Sequence, residues 1–513
     1  MTKQTFIKGA MILLAAGIIN RILGFIPRIA LPRIIGAEGV GLYQLGYPFL
    51  IVMLTVITGG IPLAVAKWVA EAQSQGDERK MRHIFRTAIG LTLVLAIVFT
   101  AITIALAPWI ATKVLTDERV YYPFLFMTPM LLIAAISSVC RGYFQGKQNM
   151  IPSALSQVVE TLFRIVFVLF FAQLLLPHGL EWAAAGAMIG AVIGECCGLL
   201  VLLYQLAREK KRRLTGDYHA QEPLLKRLVS WSVPVTLSKM SGSLSYLFES
   251  ILTVRALAVA GVATGAATAQ YGALQGMILP IVLLPTALTY SLSASLVPSL
   301  SEAAARGDHA TIRKRMGQTM RLALVSGAPC VVIMAMLAGP ICSVLYDHAE
   351  ITPMLQMIAP FALFIYLQAP LQAALQALDK PGTALRNTLI GAAVKLTLIT
   401  LLASRPELGI YGAMIAMGVQ IVIVTLLHWS SVLRLVGSHM QLLDGIKVGA
   451  AALITAAVIK YAYAVPWLVG EWLKLLAAAS IGLIVYLLLM LLLGIIDKSD
   501  LSRLPVVGRW VKL

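Results

Sequence analysis

Nine ionisable side chains sit deep inside long apolar runs of this chain: Arg21, Arg28, Arg164, Lys239, Arg255 and Lys395 on the basic side, and Glu160, Glu195 and Glu249 on the acidic side. A charge stranded in hydrocarbon costs roughly 3 kcal/mol or more, so each needs a partner, a water-filled cavity or a charged ligand. Glu160 and Arg164 are spaced i, i+4 and can neutralise one another on one helix. Arg21, Lys239 and Lys395 have no acid at helical spacing. Surplus positive charge at depth suits an anionic cargo such as a phosphate or diphosphate, and has the wrong sign for an organic cation. At 1.5 Å per residue, Arg21 lies about 20 Å from the inner end of its run, Arg164 and Lys395 about 18 Å and Lys239 about 15 Å, a common depth. Arg28 and Arg255 lie far enough along for their stems to reach the outer surface.

Competing chemistry is absent from the sequence. It contains no phosphate-cradling G-x-x-x-x-G-K-[ST], no H-E-x-x-H and no acidic cluster of metal-binding type. Neither a catalytic residue, a metal nor a cofactor is therefore expected. Work on a cargo would be driven by the membrane potential or by an ion gradient, of protons or sodium. The five cysteines, Cys140, Cys196, Cys197, Cys330 and Cys342, lie in apolar runs without metal or disulfide spacing.

The elements that must hold these charges are membrane helices. Of 513 residues 59% are hydrophobic and only 12% charged, against about 25% in soluble domains. The net charge of +18 does not signal nucleic acid, because that function needs a solvated basic domain and none exists here. Fourteen runs reach the length of about 20 residues that a crossing needs, beginning with 6–33 and 41–68; the eighth is 271–299. The first is too long and lacks a small-residue cleavage site, so it reads as a retained helix rather than a signal peptide. With fourteen spans, 29 of the 41 Lys and Arg fall on the side of the two termini and 6 on the other. Both termini are thus expected in the cytoplasm. Pro27, Pro62, Pro234, Pro280 and Pro285 are expected to bend helices rather than end the spans.

A shift of 231 positions reveals a repeat: Glu71, Gly76 and Asp77 fall on Glu302, Gly307 and Asp308, Arg82 on Arg313, Pro129 on Pro360, Gln145 on Gln376, and Arg164 on Lys395. The expected fold is an all-α integral membrane protein with two six-helix lobes related by a parallel repeat. The expected divisions are an N-lobe at 1–206, a basic cytoplasmic linker at 207–228, a C-lobe at 229–436, and helices thirteen and fourteen with the C-terminus at 437–513. Within the sixth span Gly186, Gly190, Gly194 and Gly198 form a smooth face for close approach of a neighbouring helix.

Two stretches, Asn20-Arg21-Ile22-Leu23-Gly24-Phe25 and Val297-Pro298-Ser299-Leu300-Ser301, resemble the MurJ-type lipid II flippases and polysaccharide exporters of the multidrug/oligosaccharidyl-lipid/polysaccharide superfamily, and most of all its sporulation branch. That resemblance, which extends over essentially the whole chain, implies two lobes that alternate between inward- and outward-open states. The implied cargo is an undecaprenyl-diphosphate-linked sugar, the peptidoglycan precursor lipid II, carried across the bacterial cytoplasmic membrane or the membrane around the forespore. Its partners would be the lipid-linked oligosaccharide, membrane lipids and a peptidoglycan polymerase. Arg21 matches a cavity arginine of the family; a second falls near Pro27, one position before Arg28, and a third at the uncharged Gln275, so Lys239, Arg164 and Lys395 are expected to supply replacement charge, and Arg255 is placed with Arg21, Arg28, Arg164 and Lys239 in the diphosphate-binding set. Glu249 matches an acid that belongs to a sodium site in some relatives, whereas its companion is absent near Gly391, one turn from Lys395. Glu160, Glu195, Glu249 and Lys395 form a coupling or charge network in this reading. The alternatives are a drug or cation antiporter of the same architecture and, against the short outer connections, a membrane glycan ligase.

Overall fold

Thirteen helical segments among the described residues are long and apolar enough to cross a bilayer, in a computed structural model that describes residues 6–209, 224–437, 442–465 and 470–495. Backbone amides in lipid must be satisfied without water, and a helix achieves this within one segment. The number differs from the expected fourteen at one place. The first two expected spans form a single stretch, Ala15–Ser74, of 60 residues, about 90 Å at helical rise and long enough for two crossings. Glycines, rather than a longer loop, mark the breaks within it. Gly24 separates α1 (Phe6–Leu23) from α2 (Phe25–Thr58), Gly36 kinks α2 at a φ of 67°, and Gly59 precedes α3 (Ile61–Ser74). A side chain at Gly36 would meet the steric penalty of positive φ.

The described residues form two compact units. The first lies within Met1–Met277 and Ile399–Ile410. After α3 it contains α4 (Glu78–Trp109), α5 (Tyr121–Met127), α6 (Pro129–Gly146), α7 (Ile151–Leu175), α8 (Leu180–Arg208), α9 (Leu224–Val259) and α10 (Thr264–Gly272). Trp68, Ile84, Phe144 and Leu202 anchor one apolar cluster. A second joins Leu31 and Ile35 of α2 to Val168 of α7 and Ala183 and Ala187 of α8.

The second unit lies within Ile278–Leu398 and Tyr411–Leu513. It contains α11 (Leu279–Leu283), α12 (Thr286–Ala305), α13 (His309–Met336), α14 (Ala338–Tyr346), α15 (Thr352–Ala377), most of α16 (Pro381–Leu402), α17 (Ile410–Val436), α18 (Leu442–Ala464) and α19 (Glu471–Leu492). Met320, Leu371, Val432 and Tyr486 belong to its core. Helices α18 and α19 pack on each other and on α13, and Leu476, Ile484, Leu488 and Leu492 of α19 face outward as an aliphatic stripe. The eighth expected span starts earlier than 271, at Thr264, widens into a π turn at Ala273–Ile278, and bends ahead of Pro285.

The 231-residue shift is written into the backbone as well as the sequence. Asp77 and Asp308 cap α4 and α13, accepting bonds from the amides of Arg79 and Lys80 in one case and of Thr311 in the other. The preceding Gly76 and Gly307 have φ of 72° and 67°. Single-turn 3-10 segments at Glu118–Val120 and Ala349–Ile351 sit at the same register. So do the rare positive φ angles of Thr116 and Asp347, and of Gln148 and Asp379. The basic residues Lys210 to Arg213 and both chain ends lie outside the described residues.

Candidate functional site

The glycine stripe of α8 does what its spacing suggests. A Cβ added to Gly190 would lie 2.3 Å from the backbone nitrogen of Val168, one on Gly194 2.8 Å from Cβ of Arg164, and one on Gly198 2.9 Å from Cβ of Glu160. Only hydrogen fits, so α7 lies directly against α8. That approach gathers Glu160 and Arg164 of α7 with Glu195 of α8, and α6 adds Arg141. Arg141 Nη2 stands 2.6 Å from Glu160 Oε2 and 3.7 Å from Glu195 Oε1. Arg164 pairs with Glu160 Oε1 and stands 3.7 Å from Glu195 Oε2. Glu160 and Glu195 are only 8% and 4% exposed. Two half-buried guanidiniums and two buried carboxylates thus meet in a quartet. Arg141 is the member that sequence reasoning missed, because it counted as a helix-end cytoplasmic charge; its place five residues before the end of α6 was the available signal.

Arg21 on α1 and Arg28 in the first turn of α2 are exposed, either side of the Gly24 turn. Arg28 lies within electrostatic range of Arg21, of Tyr43 on α2 and of Tyr246 on α9. Tyr43 and Tyr47, spaced i, i+4, also lie in range of Arg164. Within the first unit Arg28 and Arg164 thus both lie in electrostatic range of Tyr43, and Arg21 in range of Arg28. Those tyrosines went unread in the sequence, although apolar rings with polar tips at helical spacing inside a span are a usable sign. One turn along α9 from Tyr246, Glu249 is 6% exposed and accepts a bond of 2.8 Å from Nε2 of Gln275. Gln275 is presented by the π turn, a device frequent at functional sites.

Two cations serve helix ends. Lys239 Nζ donates to the Gly59 carbonyl at 2.8 Å, at the C-terminal end of α2, where unpaired carbonyls and the helix dipole favour positive charge. Beside it Thr236 Oγ1 accepts from the amide of Gly60 at 3.0 Å. Arg255 donates to the Lys113 carbonyl at 2.5 Å. Lys395 belongs to the second unit, where it is 7% exposed on α16. At the far end of the first unit, Arg119 bridges Glu38 at 2.8 Å and Asp117 at 3.0 Å, and Thr268 donates to Asp117 at 2.8 Å. Burial raises the Asp117 pKa, but the hydrogen bonds from Arg119 and Thr268 outweigh it and hold the carboxyl below its usual value. Among the described residues no group of three or more His, Cys, Asp and Glu could hold a metal, and the five cysteines are free.

A family model of polysaccharide biosynthesis proteins matches residues 6–304. The chain belongs to this family. It is 40% identical over 519 aligned residues, the whole of both chains, to stage V sporulation protein B of Bacillus subtilis (strain 168). It is 27% identical to lipid II flippase MurJ of the same organism, covering 97% of each chain. Among solved structures, a lipid II flippase MurJ in an inward closed conformation matches with a TM-score of 0.72 at 15% identity, over 96% of this chain and 100% of that one. An inward-facing multidrug resistance MATE family transporter matches at 0.61 and 15% identity, over 80% and 92%. These structures, of proteins named as a lipid II flippase and a MATE family transporter, share the all-α, multi-pass membrane fold expected from the sequence.

Proposed function

We propose that this chain flips an undecaprenyl-diphosphate-linked sugar across the cytoplasmic membrane by alternating access, with the peptidoglycan precursor lipid II for spore cortex synthesis as its cargo. The observation that carries the reading is the exposed pair Arg21 and Arg28, two like charges within electrostatic range of one another. A guanidinium fork matches phosphate oxygens in a bidentate manner, and a diphosphate between the two forks relieves their repulsion. Arg164 stands behind them, with its charge shared by the quartet. Lys239 and Arg255 hold the helix ends around the site and add to its positive field. The relatives named as a lipid II flippase and a sporulation protein support the cargo class and the setting.

Outward movement of an anionic head is favoured by an inside-negative potential, by about 2.3 kcal/mol per charge per 100 mV. The membrane potential therefore suffices as a driving force, and Glu249, the Glu160–Glu195 pair and Lys395 are the groups through which a proton or sodium gradient would couple. Both termini face the cytoplasm, and a peptidoglycan polymerase consumes the cargo on the outer side, in the membrane around the forespore. The test is reconstitution into liposomes with fluorescent lipid II, scored by its protection from an external reagent. Wild-type protein exposes the label and Arg21→Ala does not, although it still inserts. Full activity of Arg21→Ala removes the assigned role; transport of a cationic dye without any response to lipid II replaces the reading with that of a cation antiporter.

A further inference from the structure

We infer that a groove between α12 and α15 binds the uncharged, hydroxyl-rich sugar head of the transported lipid, a reading that rests on the proposed function and adds a second subsite to it. The groove is a cavity of about 280 Å³ inside the second unit, at the small end of ligand sites. Helix α12 contributes Tyr290 and Ser293, and α15 contributes Gln372 and Gln376. Their spacings, i, i+3 and i, i+4, put each pair on one helix face. Ala294, Ala369 and Ala373 form the floor between them, and their single methyl groups leave the space open.

The chemistry of this lining selects the ligand. It carries no charge, so it offers nothing specific to a phosphate or a carboxylate. Each glutamine presents a carbonyl acceptor and two N–H donors, a match for neighbouring hydroxyls that both donate and accept. Among the described residues no hydrogen bond engages the side chains of Tyr290, Gln372 or Gln376. Ser293 Oγ donates to the Thr289 carbonyl at 2.7 Å, which leaves its oxygen as an acceptor. Tyr290, 66% exposed, offers an apolar ring face with a polar tip. A pyranose presents the complement, C–H groups on its faces and hydroxyls on its rim.

The repeat argues against a generic packing fault. Shifted by 231 residues, Ser293 falls on Pro62, Gln372 on Arg141 and Ala373 on Gly142. In the first unit these positions are closed: a Cβ on Gly142 would lie 2.5 Å from the Pro62 carbonyl oxygen, and Arg141 is drawn into the ionic quartet. In the second copy alanine stands in place of the glycine and an amide in place of the cation, and the groove lies beside them.

The test measures binding of two probes to the full chain in nanodiscs: undecaprenyl diphosphate, and the same lipid bearing an N-acetylated disaccharide. Wild-type protein should prefer the sugar-bearing probe by roughly tenfold or more, the value of two added hydrogen bonds. Gln372→Leu/Gln376→Leu should erase that preference and leave affinity for the sugar-free lipid unchanged, which also certifies its fold. Should the double variant not fold, Ala373→Leu fills the groove, keeps both amides and is expected to erase the preference equally. A preference retained by the folded variant overturns the inference. A wild type that binds both probes equally overturns it too, and leaves the flippase reading standing. A wild type that binds neither overturns the flippase reading itself, and the subsite with it.

Discussion

Helices α6, α7 and α8 of the first unit and α15, α16 and α17 of the second are copies of one arrangement, yet they are held together by different chemistry. In the first copy, glycines bring α7 and α8 into backbone contact and a quartet of two arginines and two glutamates fills the polar interior. In the second, glycine stands at 391 where glutamate stands at 160, and lysine at 395 where arginine stands at 164. Neutral polar bonds are found there: Asn387 Nδ2 donates to Nδ1 of His428 at 3.2 Å and to Ser431 Oγ at 3.1 Å, and Gln368 donates to Thr425 Oγ1 at 3.0 Å. The turns ahead of α5 and α15 differ in the same spirit. Asp117 with Arg119 in one copy becomes His348 with Glu350 in the other, an ion pair of reversed polarity that forms only when the imidazole is protonated. Backbone turns and caps repeat while the side-chain pairs at 117/119 and around 160 do not, so the duplicated scaffold sets where polar groups go and leaves some of their identities free for function.

The comparison breaks most readily at the quartet. Glu160→Ala leaves two guanidiniums sharing one remaining carboxylate in a buried site, and loss of a buried partner costs about 3–5 kcal/mol. Thermal melting of the purified protein should show a large fall, and an unchanged melting temperature would mean that the quartet is solvated and energetically idle. Next in size is the exposed pair. Arg28→Ala should lower lipid II transport roughly 10- to 100-fold, the equivalent of about 1.5–3 kcal/mol in charge-assisted hydrogen bonds, with little change in melting. Asn387→Ala in the second copy should cost about 1–2 kcal/mol, the price of neutral bonds left unmade; a loss as large as that of Glu160→Ala would erase the distinction between the ionic quartet and these neutral bonds.

The smallest effect concerns pH. The folded-state pKa of Asp117 is depressed, so its contribution to stability is complete above the ordinary carboxylate range and is lost as pH falls through the folded value. Asp117→Asn should flatten that acid limb of the melting curve. An acid limb identical in variant and wild type would assign the slope to other carboxylates.

Much of the fold was legible before any coordinates. Run length and hydropathy located the spans, the 231-residue shift exposed the repeat, and the spacing of Gly186 to Gly198 announced a close helix contact. Glu160 with Arg164 was readable because both lie on one helix, where the i, i+4 geometry is set by the backbone alone. Arg141 was not readable, since its partners come from two other helices. Lys239 looked like a cavity cation by depth, but the Gly59 carbonyl that receives it lies 180 residues away. The merging of the first two spans was hidden as well, because a glycine that bends a helix and one that ends it have the same composition.

By itself the sequence determined what local and additive physics can determine: a multi-pass membrane chain, its internal duplication, and a surplus of positive charge within the spans. Hydrophobicity sums along a segment, and side-chain spacing on one helix follows from its pitch. Only the tertiary structure decided which of those charges join an ionic quartet, which meet helix ends, and which, Arg21 and Arg28 among them, keep exposed surface. It also decided that one copy of the α3–α6 contact closes while its counterpart between α12 and α15 opens into a groove. Such outcomes depend on the rotation and separation of helices distant in sequence, which a Cβ atom or its absence can change.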